Sequence, residues 1–306
     1  MKLASVFAIA FAFATAASAA PTRPAITAVS HLAVYSADMA KSDAFYTVKL
    51  GAVKGADPEN PAGVRYYFNP RQFVEVLPLP AGTPDKLRMA HAAYITADAE
   101  AMRAYLKANA IKVPGKLTTG KDGSKWFEVS DPENNTVQFL ELPKTLPSVP
   151  VNPLSGHIIH VGMITHDQAL MDKFYRGLLG FRGYWAGGMH PGHNTWISQQ
   201  LPDGRDWMEY MLVEGKEKTG IPADMPQATS GVLNHFALGV GNMEKTVTLL
   251  TGGERLSEKN DGPKIGADGK WQFNMYDPDG TRAEFMEFHA VIKPCCTPFT
   301  AQDPDE

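Results

Sequence analysis

The sequence predicts an α+β protein built from four copies of one βαβββ module, and three observations carry that reading. Four apolar segments each open on a histidine: HLAVYSAD from His31, HAAYITAD from His91, HVGMITHD from His160 and HFALGVGN from His235. Seven residues after each histidine stands Asp38, Asp98, Asp167 or Asn242, a residue type that caps a helix where a strand hands over to it. Short runs rich in β-branched and aromatic residues follow in the second half of each copy. Composition does not produce one spacing four times, whereas an internal repeat does.

Taken in chain order, residues 1–19 read as a signal peptide. Lys2 precedes an apolar run from Leu3 to Ala14, and Ala17, Ser18 and Ala19 supply a small-x-small cleavage site. The run is shorter than the roughly 20 residues that span a bilayer. The expectation is a secreted or periplasmic protein with no membrane anchor after signal removal.

Each module should then begin with its histidine strand and continue into a helix. The helices carry Phe45 and Tyr46, Tyr105, or Phe174 and Tyr175 at one step, with Leu249 and Leu250 in the fourth copy. Modules one and three end their helices in Leu50–Gly51 and Leu179–Gly180, where glycine acts as a stop. The strands that follow include RYYFN, QFVEVLPL, KWFEV, TVQFLEL, WMEYMLV, WQFNMY and AEFMEF. Modules two and four share DGSKWFEVSDPENN from Asp122 and DGKWQFNMYDPDG from Asp268, whose Asp-Pro clusters read as turns between strands.

Residues 142–156 hold four prolines and no regular period, so they should be an extended connection between two halves. Shorter breaks fall at 78–84 and 215–230. The expected division is 20–145 and 156–290 with a linker over 146–155 and a tail over 291–306. Cys295 and Cys296 are adjacent in that tail and cannot staple the fold, which makes them an exposed tail feature. A net charge of −4 with no basic cluster excludes nucleic acid as a partner. The partner left is a small-molecule substrate, for a monomer or homodimer.

Each last strand carries one acidic or amide residue: Glu75, Gln138, Glu209 and Glu284. Gln138 and Glu284 both lie seven residues beyond the Asp of their Asp-Pro turn, and Glu141 and Glu287 three further, on the opposite sheet face, where solvent should meet them. Two modules facing each other across a curved sheet would bring two histidines and two carboxylates together, a set suited to a divalent metal ion (Zn2+, Ni2+, Co2+, Mn2+ or Fe2+). The C-terminal set is His160, Glu209, His235 and Glu284. The N-terminal set of His31, Glu75, His91 and Gln138 has lost one anionic ligand. Neighbouring modules or swapped modules could both complete a site, and the stiff proline-rich linker favours neighbours joined as two self-contained units.

The register of His, Asp, aromatic pair, Leu-Gly and DPDGTRAE at 277–284 resembles the vicinal oxygen chelate superfamily of glyoxalases, bleomycin resistance proteins and extradiol dioxygenases, over nearly the whole mature chain. The resemblance implies pairs of βαβββ modules closing into two cup-shaped domains, each around a metal that holds two neighbouring substrate oxygens. In glyoxalase-like enzymes two glutamates move a proton while the ion stabilises an enediolate, and Glu209 and Glu284 stand at the matching positions as catalytic residues. An extradiol dioxygenase would use His160, His235 and Glu284. That branch also carries a Tyr three residues before the Asp of its turn and a His further back. Here those places hold Asn274 and Ile265, Gly266 or Ala267, with Tyr276 as the one nearby substitute. Non-catalytic ligand binding, as in bleomycin resistance, is the third reading. The loop GGMHPGHNTW with His190 and His193 is either a cover for the cup mouth or a solvated loop, and Trp185, Trp196 and Trp207 are candidates for a pocket wall.

Overall fold

The computed structural model describes residues 21–84, 87–226 and 234–306, so the expected signal peptide lies outside the described residues. The N-terminal half contains β1 (Ile26–Ser36), α1 (Met39–Ala44), β2 (Val53–Ala56), β3 (Val64–Asn69), β4 (Gln72–Pro78), β5 (Met89–Thr96), α2 (Ala99–Ala108), β6 (Thr118–Thr119), β7 (Lys125–Ser130) and β8 (Thr136–Glu141). The C-terminal half repeats the order with β9 (Ile158–Thr165), α3 (Gln168–Asp172), β10 (Arg182–Gly187), β11 (Trp196–Gln200), β12 (Trp207–Leu212), α4 (Lys216–Thr219), β13 (His235–Val240), α5 (Met243–Gly252), β14 (Asn260–Ile265), β15 (Trp271–Tyr276) and β16 (Arg282–Glu287). Helix α4 falls inside the stretch read from sequence as a plain break. Among the described residues no helix is long and apolar enough to cross a membrane.

The strands form two curled eight-stranded sheets, ordered β2-β3-β4-β1-β5-β8-β7-β6 and β10-β11-β12-β9-β13-β16-β15-β14. Each sheet joins two neighbouring modules through an antiparallel pairing of their first strands, β1 with β5 and β9 with β13. The swapped arrangement is therefore not the one adopted.

The four cap residues act as the spacing predicts. Asp38, Asp98, Asp167 and Asn242 each accept a hydrogen bond from a backbone N–H in the first turn of the helix that follows. In modules one and three the helix widens into a π-helical turn, Phe45–Lys49 and Lys173–Leu178, which contains the aromatic pairs. Gly51 and Gly180 then take φ of 71° and 78°, the left-handed conformation that stops the helix.

Glu141 and Glu287 do lie on the opposite sheet face, but they are not simply solvated. Their carboxylates accept from the N–H of Ala99 and Met243, the first residues of α2 and α5, at 3.1 and 2.6 Å. Glu287 is buried. Each supplies an acceptor and a negative charge to a helix N-terminus.

The halves are not self-contained either. One hydrophobic core takes Val29, Leu32, Tyr46 and Phe68 from the first half together with Val161, Met163, Tyr175 and Phe236 from the second. The aromatic pairs explain why. Tyr46 of module one donates to Asp277 in the turn of module four at 3.0 Å, and Tyr175 of module three donates to Asp131 in the turn of module two at 3.1 Å. The Asp-Pro turns, each folded by its own Asp accepting from two backbone N–H groups, thus also fasten the halves diagonally. The linker is extended as expected, yet Leu154 is buried, Asn152 donates to Leu50 O at 2.9 Å and Ser155 donates to Gly239 O at 2.6 Å.

The tail beyond residue 290 is likewise part of the fold. Cys295 and Cys296 form a vicinal disulfide, and Cys295 hydrogen-bonds through its N–H to Ala267 O and through its carbonyl to the indole N–H of Trp185. Phe299 packs on Tyr184 with ring centroids 4.9 Å apart. Asp303 pairs with the buried Lys270 ammonium at 2.8 Å and accepts from Tyr184 Oη.

Candidate metal centre

Parity decides which side chains meet inside each sheet. Strand β9 lies between β12 and β13, with Trp207 opposite His160, Glu209 opposite Gly162, and His235 opposite Gly162 from the other side. On the far side of β13, Ala237 faces Glu284. Residues two apart on a strand share a face, so His160, Glu209, His235 and Glu284 converge. His160 Nε2 and His235 Nε2 are 3.1 Å apart. Glu209 Oε2 lies 3.4 Å from His235 Nε2, and Glu284 Oε2 lies 3.7 and 3.8 Å from the two Nε2 atoms.

The neighbours of these groups hold them in place. Trp207 packs its ring against His160, with centroids 4.6 Å apart. Gly162 leaves the space that the His235 imidazole fills, since a Cβ there would overlap that ring. The signal was present in the sequence: the residue two after the histidine is Ala33, Ala93 and Ala237 in the other modules and Gly only in module three.

The electrostatics of the cluster suit a cation. Burial lowers both histidines well below their ordinary value, so the imidazoles are neutral. Burial pushes Glu209 and Glu284 up to about 7, against the opposing pull of Arg282. His160 Nδ1 and His235 Nδ1 are buried with no hydrogen-bond partner among the described residues. When those Nδ1 atoms carry the protons, two imidazole lone pairs and two carboxylates face one another. Donor atoms bound at about 2.0–2.2 Å from one divalent ion sit roughly 3.0–3.6 Å from each other. The His160–His235 and Glu209–His235 separations fall in that range and Glu284 lies just beyond it, and the nitrogen and oxygen donor set suits such an ion.

The N-terminal sheet repeats the register with His31 opposite Phe73, Glu75 opposite Ala33, His91 opposite Ala33 and Gln138 opposite Ala93. His31 Nε2 and His91 Nε2 are 2.9 Å apart, and Glu75 Oε2 lies 3.4 Å from His91 Nε2. Sequence reasoning missed what surrounds them. The β2–β3 connection turns Asp57 and Glu59 inward onto Arg65, and Glu59 also accepts from Gln138 Nε2 at 2.8 Å. In the C-terminal half the corresponding connection carries His190 and His193. His190 is exposed and His193 half-buried, and they are held by Glu217 O and Glu214, the latter at 2.5 Å, so they do not join the ligand set. Trp185 and Trp207 are buried and Trp196 is partly so. Trp207 lies against a candidate ligand, while Trp185 is tied to the tail.

A cavity of about 1120 Å³ follows the seam between the halves past His157 and Asp206 and touches neither histidine cluster. Chemistry, not volume, locates the site.

Comparison with known proteins bears on the fold. No curated protein sequence matches the chain. Among solved structures, the 2,3-dioxygenase LapB from Pseudomonas sp. KL28 superposes with a TM-score of 0.60 at 13% identity, covering 87% of this chain and 93% of that one. Homoprotocatechuate 2,3-dioxygenase from Brevibacterium fuscum, in an anaerobic complex with 3,4-dihydroxyphenylacetate, gives 0.63 at 15% identity, covering 92% and 87%. A catechol 2,3-dioxygenase gives 0.60 at 14%, covering 92% of each chain. At such identities the likeness is one of fold. The family model described as Glyoxalase/Bleomycin resistance protein/Dioxygenase superfamily matches residues 28–139 and again 157–285, one match for each sheet, and the chain belongs to that superfamily.

Proposed function

We propose that the C-terminal cup is a metal-dependent active site working as a glyoxalase-like isomerase or lyase on a small substrate with two neighbouring oxygens. The observation that carries the reading is the pair of carboxylates, Glu209 and Glu284, flanking one histidine pair with both held near pH 7 by burial. His160, Glu209, His235 and Glu284 would hold the ion. When bound, it supplies a Lewis acid for the two substrate oxygens.

The protein's own residues divide the remaining work. Glu209 keeps 16% of its side chain exposed against 4% for Glu284, so Glu209 Oε is the atom placed to take a proton from an entering substrate and return it. Trp207 fixes the His160 ring, and the Lys270–Asp303 pair with the tail seals the end of the sheet beyond Trp207, keeping water out.

Ring-cleaving dioxygenation is the second reading, favoured by the His160, His235 and Glu284 subset and by the two-sheet likeness to the dioxygenases. Against it, Asn274 lies opposite Glu284 with its amide N–H donated to Asp261 at 3.0 Å. Tyr276 is occupied by the Lys259 ammonium 3.8 Å above its ring. Glu209→Gln separates the readings. Loaded with each divalent metal and assayed on 2-oxoaldehydes and on catechols, the protein should turn over the former and lose about 10²–10⁴-fold with Glu209→Gln. Oxygen uptake with a yellow ring-opened product, unaffected by Glu209→Gln, would establish the dioxygenase instead.

We also propose export, on the strength of Lys2, the apolar run and Ala17–Ala19. N-terminal sequencing of the extracytoplasmic protein should begin at Ala20, and an intact Met1 on the mature protein would refute it.

A further inference from the structure

We propose that the N-terminal cup holds a second divalent ion, bound by His31, Glu75 and His91 with the amide oxygen of Gln138 in the fourth corner, in a site closed to substrate by the 57–60 segment. The proposal does not depend on the function assigned to the other cup.

The first support is register. Gln138 faces Ala93 as Glu284 faces Ala237, so it occupies the same corner relative to its histidine pair. Loss of a carboxylate there need not remove a ligand, because an amide carbonyl is also an oxygen donor. The acceptor Glu59 Oε2 engages the Nε2 side of Gln138 and leaves Oε1 buried without a partner. Glu75 Oε2 is orphaned in the same way. Two buried oxygens without partners beside two imidazole nitrogens 2.9 Å apart form a set of donors that lacks an acceptor of electron pairs.

Charge gives an independent argument. Asp57, Glu59 and Glu75 each keep less than a tenth of their side chains exposed, around one equally buried guanidinium, Arg65. Three buried carboxyl groups share that one guanidinium cation, and a divalent ion would supply the positive charge that lets them all ionise. The anion missing from position 138 has in effect moved one shell outward, to Glu59, where it polarises the amide. Outer groups of this kind commonly orient ligands.

Closure follows from the same contacts. Arg65 bridges Asp57 and Glu59, stacks on Phe73 with its guanidinium 4.2 Å from the ring centroid, and so ties the 57–60 segment down over the ligands. Phe73 in turn stacks on His31 at 4.3 Å. Sites closed on all sides are structural, and those that keep an open position are catalytic. The cup with Glu209 partly exposed is the open one.

The test uses the full-length protein reconstituted with Zn2+ or Co2+, desalted and analysed for bound metal. About two equivalents are expected. His91→Ala and the milder Glu75→Gln should each retain one, and His235→Ala should retain the other. Chelator challenge should remove one equivalent fast and one slowly, with the slow phase missing from His91→Ala and accelerated roughly tenfold or more by Glu59→Ala. A single equivalent in the unmodified protein, kept by both N-terminal variants and removed by His235→Ala, overturns the second site and leaves the catalytic reading standing. One equivalent lost in Glu75→Gln and kept in His235→Ala does the reverse. Two equivalents released at one fast rate overturn the closed geometry.

Discussion

The buried carboxylates of the C-terminal cup should destabilise the metal-free protein above neutral pH, and replacing either with its amide should stabilise it. Glu209 and Glu284 rise from 4.5 to about 7 on folding because burial disfavours their charge. For an acid raised in the folded state, the stabilisation is complete below the unfolded value and is lost as pH climbs from 4.5 through 7. At 1.36 kcal/mol per pH unit, each ionised carboxylate then costs the fold roughly 3 kcal/mol, less for the second because the two interact. The histidines follow the opposite sign, depressed on folding and therefore destabilising as pH falls below 6.5. Comparing wild type with Glu284→Gln at each pH cancels their contribution. In urea melts with chelator, Glu284→Gln should match wild type near pH 5 and exceed it by up to about 3 kcal/mol at pH 8. Excess metal should narrow that gap, since binding at a thousandfold excess over Kd adds about 4 kcal/mol and the carboxylate of the wild type holds the ion more tightly than the amide of the variant. A Gln variant no more stable than metal-free wild type at pH 8 would refute the reasoning.

Gly162→Ala should displace the His235 ring, costing about 1–3 kcal/mol from overpacking and weakening metal binding to the C-terminal cup by calorimetry, while the N-terminal histidines are untouched. Tyr46→Phe and Tyr175→Phe each strip a buried carboxylate of a donor and should lower stability by about 1–3 kcal/mol, measured by denaturant unfolding. Asp303→Ala leaves the Lys270 ammonium buried beside Trp207 without its counter-charge and should cost about 3 kcal/mol, a thermal shift of several degrees. The fragment from Gly156 to Glu306 should fail to fold alone, because Val161, Met163, Tyr175 and Phe236 lose the half of the core they pack against; a cooperative melt of that fragment would count against a shared core.

The repeat was legible because its signals are local. A cap seven residues after a histidine, a glycine stop and alternating strands are properties of short windows, and each held in all the modules where it was read. The register of the repeat grouped His160, Glu209, His235 and Glu284, and side-chain parity chose Glu284 over Glu287. What escaped is long-range. Glu141 and Glu287 were assigned to the correct face, but the helix whose N-terminus they cap packs there by tertiary contact. Asp277 looked like a turn residue and is one; its second carboxylate oxygen serves Tyr46, 231 residues away. The tail offered prolines and two cysteines with no periodicity, so nothing local announced that Asp303 would meet Lys270. Nothing local in the sequence sets Arg65, Asp57 and Glu59 apart, and only the inward fold of that loop makes them neighbours of a histidine pair.

One module pair, duplicated, supports two different uses because the ligands lie on the sheet and access depends on a connection. The four ligand positions are set by register, which the two sheets share, so divergence in the loops leaves the donors in place. The β2–β3 connection carries carboxylates that Arg65 can hold inside the first cup. The β10–β11 connection carries His190 and His193, whose partners Glu214 and Glu217 lie on the exposed segment after β12, and it stays outside the second. The corner residue follows the same division. An amide at position 138 can donate an oxygen lone pair but cannot accept a proton at neutral pH, which suits a closed site with no reaction to run. A carboxylate at position 284, facing a second one at 209, can hold a proton and give it back. Asn274 then bears on the choice of reaction, because it places an amide tied to Asp261 beside Glu284, where it has no proton to exchange near pH 7. On the proposed reading, proton movement in the open cup falls to the two glutamates, and that would be the chemistry of isomerisation or elimination at a carbon beside two oxygens.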